Sequence, residues 1–302
     1  MTRTWFSLRL RFSSILFITS LFISSVAINP ASASRGGVED PSNKFTVGFT
    51  FNDGPTPSVC SGILIAPTII VTARHCVRND NGVDGSNYLF TNPGAAIDGA
   101  PSPAKVSRIV ISEEDLAFII LDSPLTGATF LRIADMATVD SLTYLQPLSG
   151  HGYGAVFETN ASYSSIVRKY PLDWLTSGRD TTLKNTYELV SSLATACRGD
   201  SGGPITATFA NGEQVLLAVL SGAANVQNSC GTPGLDGLYR MRVTLVHPHL
   251  NLVPEYTGVP AAAPSPKPTK KIVKITCVKG KVTKVISGTN PKCPRGYAIK
   301  KK

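Results

Sequence analysis

The chain has 302 residues, 42% hydrophobic and 16% charged, so it can bury a sizeable core and is not a disordered polymer. Its net charge of +9 is unevenly spread: residues 1–33 hold 3 basic and no acidic side chains, residues 267–302 hold 12 basic and none acidic, and 14 basic face 20 acidic between them. A uniformly basic globule is thereby excluded, and the positive charge belongs to one polarised tail.

At the start, Arg3, Arg9 and Arg11 precede an apolar run over 15–28 and the segment Asn29-Pro30-Ala31-Ser32-Ala33. This pattern predicts a secretory signal peptide over 1–33, cleaved after Ala33. An uncleaved anchor fits less well, because the run is short, holds serines and threonines, and ends in a small-x-small site. Export makes the six cysteines a disulfide set, and their spacing groups them as Cys60 with Cys76, Cys197 with Cys230, and Cys277 with Cys293. Loops of this size each stabilise by about 3 kcal/mol in the chain-entropy picture. Without a paired Cys-x-x-Cys spacing, no metal site is expected.

Short apolar runs follow at 45–51, 62–72, 106–111, 116–121, 163–170, 215–222 and 237–243, broken by Gly, Pro, Asn and Asp. Many are β-branched and none keeps a helical period, which predicts an all-β body over 34–253, arranged as two barrels or a sandwich. A helix is expected only near 243–252, limited by Pro248, and within 186–193. Residues 254–269 form a Pro/Ala-rich linker, a stiff spacer from Pro260 to Pro268. In the basic tail, 270–302, apolar and polar residues alternate around a Lys279-Gly280 turn, which predicts a small hairpin closed by Cys277 and Cys293.

Chemistry concentrates in three segments. His75 ends a strand-like run that begins at Cys60, and the adjacent Cys76 can be tied back to Cys60. Alone, it reads equally as a surface histidine beside a structural disulfide. Asp115 immediately precedes an apolar run, so it enters the protein as a strand begins, whereas Glu113 and Glu114 are expected to be solvated. A carboxylate there can orient an imidazole, or be an ordinary strand-start acid. The segment Cys197-Arg198-Gly199-Asp200-Ser201-Gly202-Gly203-Pro204 frames a serine with glycines. Such a loop holds the hydroxyl out and leaves the amides of Gly199 and Ser201 uncovered, where two N–H groups can meet a developing negative charge.

The order His75, Asp115, Ser201 strongly resembles the chymotrypsin-like (trypsin-fold) serine endopeptidases, here of a secreted bacterial type. The resemblance rests on Thr72-Ala73-Arg74-His75-Cys76, Asp115-Leu116-Ala117 and Gly199-Asp200-Ser201-Gly202-Gly203-Pro204. It implies two six-stranded antiparallel β-barrels with the active site between them. It also implies His75, Asp115 and Ser201 as a catalytic triad acting through an acyl-enzyme, an oxyanion hole from Gly199 and Ser201, and no cofactor.

Two departures bear on specificity and activation. The pocket-floor position, aspartate in trypsins, is Thr195; Ser221-Gly222-Ala223 and Gly237 stand at the pocket walls. An uncharged pocket is expected to favour an apolar or aromatic residue before the scissile bond, with Asp236 as the one acid that could restore a cationic preference. The family's Ile-Val-Gly-Gly start is replaced by Ser34-Arg35-Gly36-Gly37. Signal cleavage then leaves the Ser34 amine as the partner of Asp200, with a cut after Arg35 as the alternative.

Elsewhere the expectations are plain. His151 is structural, His247 and His249 lack a ligand cluster, and Asn160-Ala161-Ser162 fits a glycosylation acceptor. Expected partners are protein or peptide substrates, with the protein acting as a secreted monomer. The basic tail would retain it on anionic cell-wall polymers or a membrane surface. Nucleic acid is not expected, since Tyr297 is the tail's one aromatic. The competing class is a catalytically inactive protease-like binding module.

Overall fold

The computed structural model describes residues 36–52, 57–77, 87–155, 163–179, 184–227, 229–258, 273–288 and 291–300. The expected signal peptide, Ser34, the Asn160-Ala161-Ser162 acceptor and most of the proline-rich linker lie outside these residues.

After a short strand β1 (Val38–Glu39), the first half of the body consists of β2 (Thr46–Asn52), β3 (Pro57–Ala66), β4 (Ile69–Thr72), β5 (Tyr88–Phe90), β6 (Val106–Ile111) and β7 (Ala117–Leu121). They form one antiparallel sheet in the order β5-β2-β3-β4-β7-β6. The apolar run 62–72 is thus a hairpin rather than one strand, turning at Pro67 so that Ile63 faces Val71. The second half follows with β8 (Arg132–Ile133), helix α1 (Met136–Asp140), β9 (Pro147–Gly152), β10 (Arg168–Arg179) and β11 (Thr186–Ser191). It continues through β12 (Pro204–Thr208), β13 (Gln214–Ala223), β14 (Val226–Gln227), β15 (Cys230–Gly231) and β16 (Tyr239–Leu245) to a 3-10 turn, His247–Leu252.

The all-β, two-lobed architecture is as expected, and the two lobes differ in closure. In the second, β9, β10, β11, β16, β13 and β12 pair in a ring, since β12 and β10 both pair with β9. The first is a curled half-barrel. Between β5 and β6 the chain carries Pro93, Pro101 and Pro103, which have no N–H to offer a ladder. A bond from the Ser102 amide to the Phe90 carbonyl, at 2.7 Å, links that stretch back to β5.

Strand β3 shows how the lobes are joined. It is buried on both faces, Cys60 and Leu64 packing into the first lobe with Phe49, Phe90 and Ile119. Ile63 and Ile65 turn the other way, to meet Leu216 and Val219 of β13 and Val246 and Val253 after β16. A strand buried on both faces reads as a continuous apolar run, which is why 62–72 carries no clean alternation.

One helix expectation is corrected, and the other, the short C-terminal helix, is met by a 3-10 helix at His247–Leu252 that starts later than expected. Residues 186–191 are β11, pairing with β10 and β16 and burying Leu189 in the second lobe. Residues 243–245 belong to β16, with Val243 and Leu245 in the same core, and only the 3-10 turn follows. Both segments sit where neighbouring strands offer ladder partners, and that pairing overrides a weak local helix preference. Helix α1, unforeseen, starts with Asp135 accepting the Thr138 amide at 2.8 Å.

The tail is a three-stranded antiparallel sheet: β17 (Val273–Lys279), β18 (Val282–Gly288) and β19 (Ala298–Ile299). Its two-residue turn is Gly280-Lys281, one residue later than expected, with Gly280 at φ 57°. Cys277, fully buried, is bonded to Cys293, and the Lys284 ammonium lies 5.4 Å from the Tyr297 ring centre.

Candidate active site

His75 stands on a single 3-10 turn, Arg74–Cys76, directly after β4. Its neighbour Cys76 is bonded to Cys60 on β3, as the spacing suggested, so the turn is tied to the sheet. The Arg74 guanidinium donates to the carbonyls of Ser112 and Glu113, at 3.1 and 3.3 Å, and thereby docks the His75 turn onto the segment that carries Asp115.

Asp115 receives His75 twice. The His75 amide donates to Oδ1 at 3.0 Å, and imidazole Nδ1 lies 2.9 Å from Oδ2 and 3.1 Å from Oδ1. A carboxylate accepts only, so Nδ1 carries the proton and Nε2 is left as the acceptor. Burial pushes the Asp115 carboxyl up, but the hydrogen bonds and charge of His75, with a smaller pull from the nearby Ser221 hydroxyl, hold it below its ordinary value. Ser221 is itself braced by the Thr244 hydroxyl at 3.0 Å. It therefore stands behind Asp115, a place its position in the sequence does not disclose.

Ser201 lies in a loop whose backbone needs its glycines. Gly199 has φ +100° and Gly202 φ +80°, and a Cβ on Gly202 would come within 2.0 Å of the Thr72 hydroxyl. Ser61 of β3, not anticipated, pins this loop. Its amide donates to the Ser201 carbonyl and its hydroxyl to the Gly199 carbonyl, both at 2.8 Å, while the hydroxyl accepts the Tyr153 amide at 3.0 Å. The Arg198 carbonyl is drawn away to the Ala155 amide at 2.7 Å. Among the described residues, the amides of Gly199 and Ser201 have no hydrogen-bond partner.

Asp200 is fully buried. Its carboxylate accepts the amides of Gly154 and Cys197, each at 2.8 Å. Cβ atoms on Gly152 and Gly154 would come within 2.2 and 2.3 Å of it, which accounts for the alternate glycines around His151. His151 is buried on β9, 3.2 Å from the Asn43 amide and 3.1 Å from the Thr206 hydroxyl, and lines neither site cavity.

His75, Asp115, Ser201 and Gly199 line one cavity of about 670 Å³, which also reaches Arg198 and Phe51. A second, of about 210 Å³, lies beyond Asp115 along Ser221, Gly222 and Ala223, with Arg242 at its edge. Cys197 is bonded to Cys230, fixing the serine loop to β15. Thr195 is buried, and a Cβ on Gly231 would come within 2.4 Å of its hydroxyl and 2.9 Å of Ala223, so Thr195, Ala223 and Gly231 converge. Gly237 occupies an exposed turn closed by the bond from the Gly234 amide to the Leu238 carbonyl and lines neither of the two cavities. Asp236, the alternative pocket acid, is held by Arg240 at 2.5 and 3.0 Å, which keeps its carboxyl near pKa 2.

Cys60, His75 and Cys76 place potential ligand atoms within 4.8 Å of one another, but both sulfurs are used in the disulfide. A carboxylate-oriented imidazole, a presented hydroxyl and two open amides can together perform nucleophilic acyl transfer without a metal.

A family model described as Trypsin matches residues 34–247. Trypsin zeta from Drosophila erecta is 25% identical over 225 residues, 67% of this chain and 75% of the relative. Hypodermin-B from Hypoderma lineatum is 27% identical over 202 residues, 60% of this chain and 72% of the relative. Trypsin eta from Drosophila erecta is 24% identical over 259 residues, 76% of this chain and 93% of the relative. These are insect proteins, so the comparison gives the expected bacterial type no support.

Proposed function

We propose that this chain, a serine endopeptidase that belongs to the trypsin family, cleaves peptide bonds with Ser201 as nucleophile, His75 as base and Asp115 as the group that orients it. His75 Nε2 takes the Ser201 proton as Oγ attacks the peptide carbonyl, and the amides of Gly199 and Ser201 receive the oxyanion. The same nitrogen then returns the proton to the leaving amine. Water enters the vacated place and the sequence runs again to free the acyl group. The observation that carries this reading is the common cavity of His75, Asp115 and Ser201, with both Asp115 oxygens directed at His75 and the two amides left open. Ser201→Ala is expected to abolish both peptide cleavage and fluorophosphonate labelling; survival of either in a clean preparation overturns it.

The primary specificity is uncharged. Thr195 supplies a hydroxyl where trypsins have a carboxylate, and Asp236 is already neutralised by Arg240. A fluorogenic peptide panel should favour apolar or aromatic residues before the scissile bond, and a strong preference for Arg would refute this. The enzyme is secreted, and signal cleavage frees the Ser34 amine for Asp200. In support, Gly36 already lies against the Leu193 carbonyl, where a Cβ would come within 2.0 Å, and Arg168 donates to the Gly37 carbonyl at 2.8 Å. The chain therefore enters the second lobe two residues after the amine. Terminal sequencing of the active form should begin at Ser34. The basic tail draws the enzyme to anionic surfaces, supported by the 12 cations and absence of acids over 267–302.

A further inference from the structure

Directly behind the His75–Asp115 couple lies a second histidine and carboxylate. Glu114 forms the turn that delivers Asp115: its carbonyl accepts the Ser112 hydroxyl at 2.9 Å and the Leu116 amide at 2.8 Å. Its side chain, expected to be solvated, is only 11% exposed. Oε1 accepts both the backbone amide of Asn185, at 3.3 Å, and its side-chain amide, at 3.1 Å. Oε2 faces His249 Nε2 at 3.5 Å, and His249 is equally buried. Neither Glu114 Oε2 nor His249 Nε2 has a hydrogen-bond partner among the described residues, so their mutual contact is the one polar interaction each has.

The three residues come from three places in the chain. Glu114 belongs to the first lobe, Asn185 to the lead-in to β11 of the second, and His249 to the terminal 3-10 turn. That turn packs Leu250, Leu252 and Val253 into the layer between the lobes, alongside Leu116. We infer that Glu114, clamped by His249 and Asn185, is a positioning residue that sets where Asp115 meets His75. The inference rests on the reading of Asp115 as the group that orients His75. Burial lowers the basicity of His249 and Glu114 raises it, and Glu114 is the one charged group acting on it among the described residues. Arg74 meets the turn that carries Glu114 from the His75 side, donating to the carbonyls of Ser112 and Glu113.

Such a role predicts a specific kinetic signature. His249 lines neither site cavity, so replacing it leaves substrate contacts in place. A shifted Asp115 matters only as His75 gains charge in the transition state, which lowers kcat and spares KM. The test uses the full secreted chain, a fluorogenic peptide, and fluorophosphonate titration to count competent sites. His249→Leu is expected to lower kcat about tenfold with KM within about twofold, and His249→Gln, which restores an N–H donor, to recover most of the loss. Should the leucine variant not fold, His249→Phe, closer in volume and likewise without an N–H donor, is expected to give the same split. A folded variant with unchanged kcat, a loss in kcat matched by KM, or no recovery with glutamine refutes the inference. Failure of the endopeptidase reading is distinguishable, since the parent protein would then neither cleave the peptide nor take the label.

Discussion

Ser61→Ala tests whether the serine loop is held from the first lobe. The fully buried Ser61 hydroxyl makes two bonds, to the Gly199 carbonyl at 2.8 Å and from the Tyr153 amide at 3.0 Å. Alanine keeps the Ser61 amide bond to the Ser201 carbonyl but strands one buried acceptor and one buried donor. Leaving such a group unpaired costs about 1–3 kcal/mol, so the variant should lose about 3 kcal/mol, or roughly 6–12 °C in Tm for a body of this size. Freed from Ser61, the peptide after Gly199 can tilt and mis-aim the neighbouring amides. Removing an oxyanion donor outright costs about 100-fold or more in kcat, so partial mis-aiming should cost about tenfold. Thermal melts are best made on the Ser201→Ala background, where self-digestion is absent, and kcat on the single variant. A Tm within a degree or two of the parent, with kcat unchanged, would refute the bracing role of Ser61.

Gly154→Ala should be worse than a typical surface change, since its Cβ would come within 2.3 Å of the buried Asp200 carboxylate; we expect kcat/KM to fall by about tenfold or more, read with the peptide assay. Stability should decline in mild acid. Burial holds the His151 imidazole below its ordinary value of 6.5, despite the opposing pull of Asp40, so the unfolded chain takes up the proton first. The stabilisation is complete above about pH 6.5 and is lost as pH falls towards the depressed value, and His151→Gln should flatten the slope of Tm between pH 7 and 5. Replacing Cys277 and Cys293 by serine should expose the tail sheet to limited proteolysis, because a disulfide loop of 16 residues supplies about 3 kcal/mol and the sheet has little core. Peptidase activity of the same protein should be unaffected, and a protease-resistant tail would contradict this.

The sequence by itself determined the residues that need a particular backbone or a covalent partner. Glycines around Ser201, cysteines at loop-sized spacings, a histidine beside Cys76 and an aspartate at a strand start are local signals, and all three cysteine couples are bonded as their spacing implied. The alternating glycines at 150, 152 and 154 were equally local, but their reason was not: Tyr170 and Asp200 fill the space that side chains there would need. Tertiary structure alone decided that Ser61 would hold a loop 138 residues away, that Ser221 would brace Asp115, and that Asp236 would be spent on Arg240. It likewise turned Glu114 inward to His249, though the sequence makes it look, like Glu113, a solvated acid. Hydrophobic period and turn chemistry report what a residue's own segment requires, whereas the partner of a buried polar group comes from whichever distant strand the packing brings alongside.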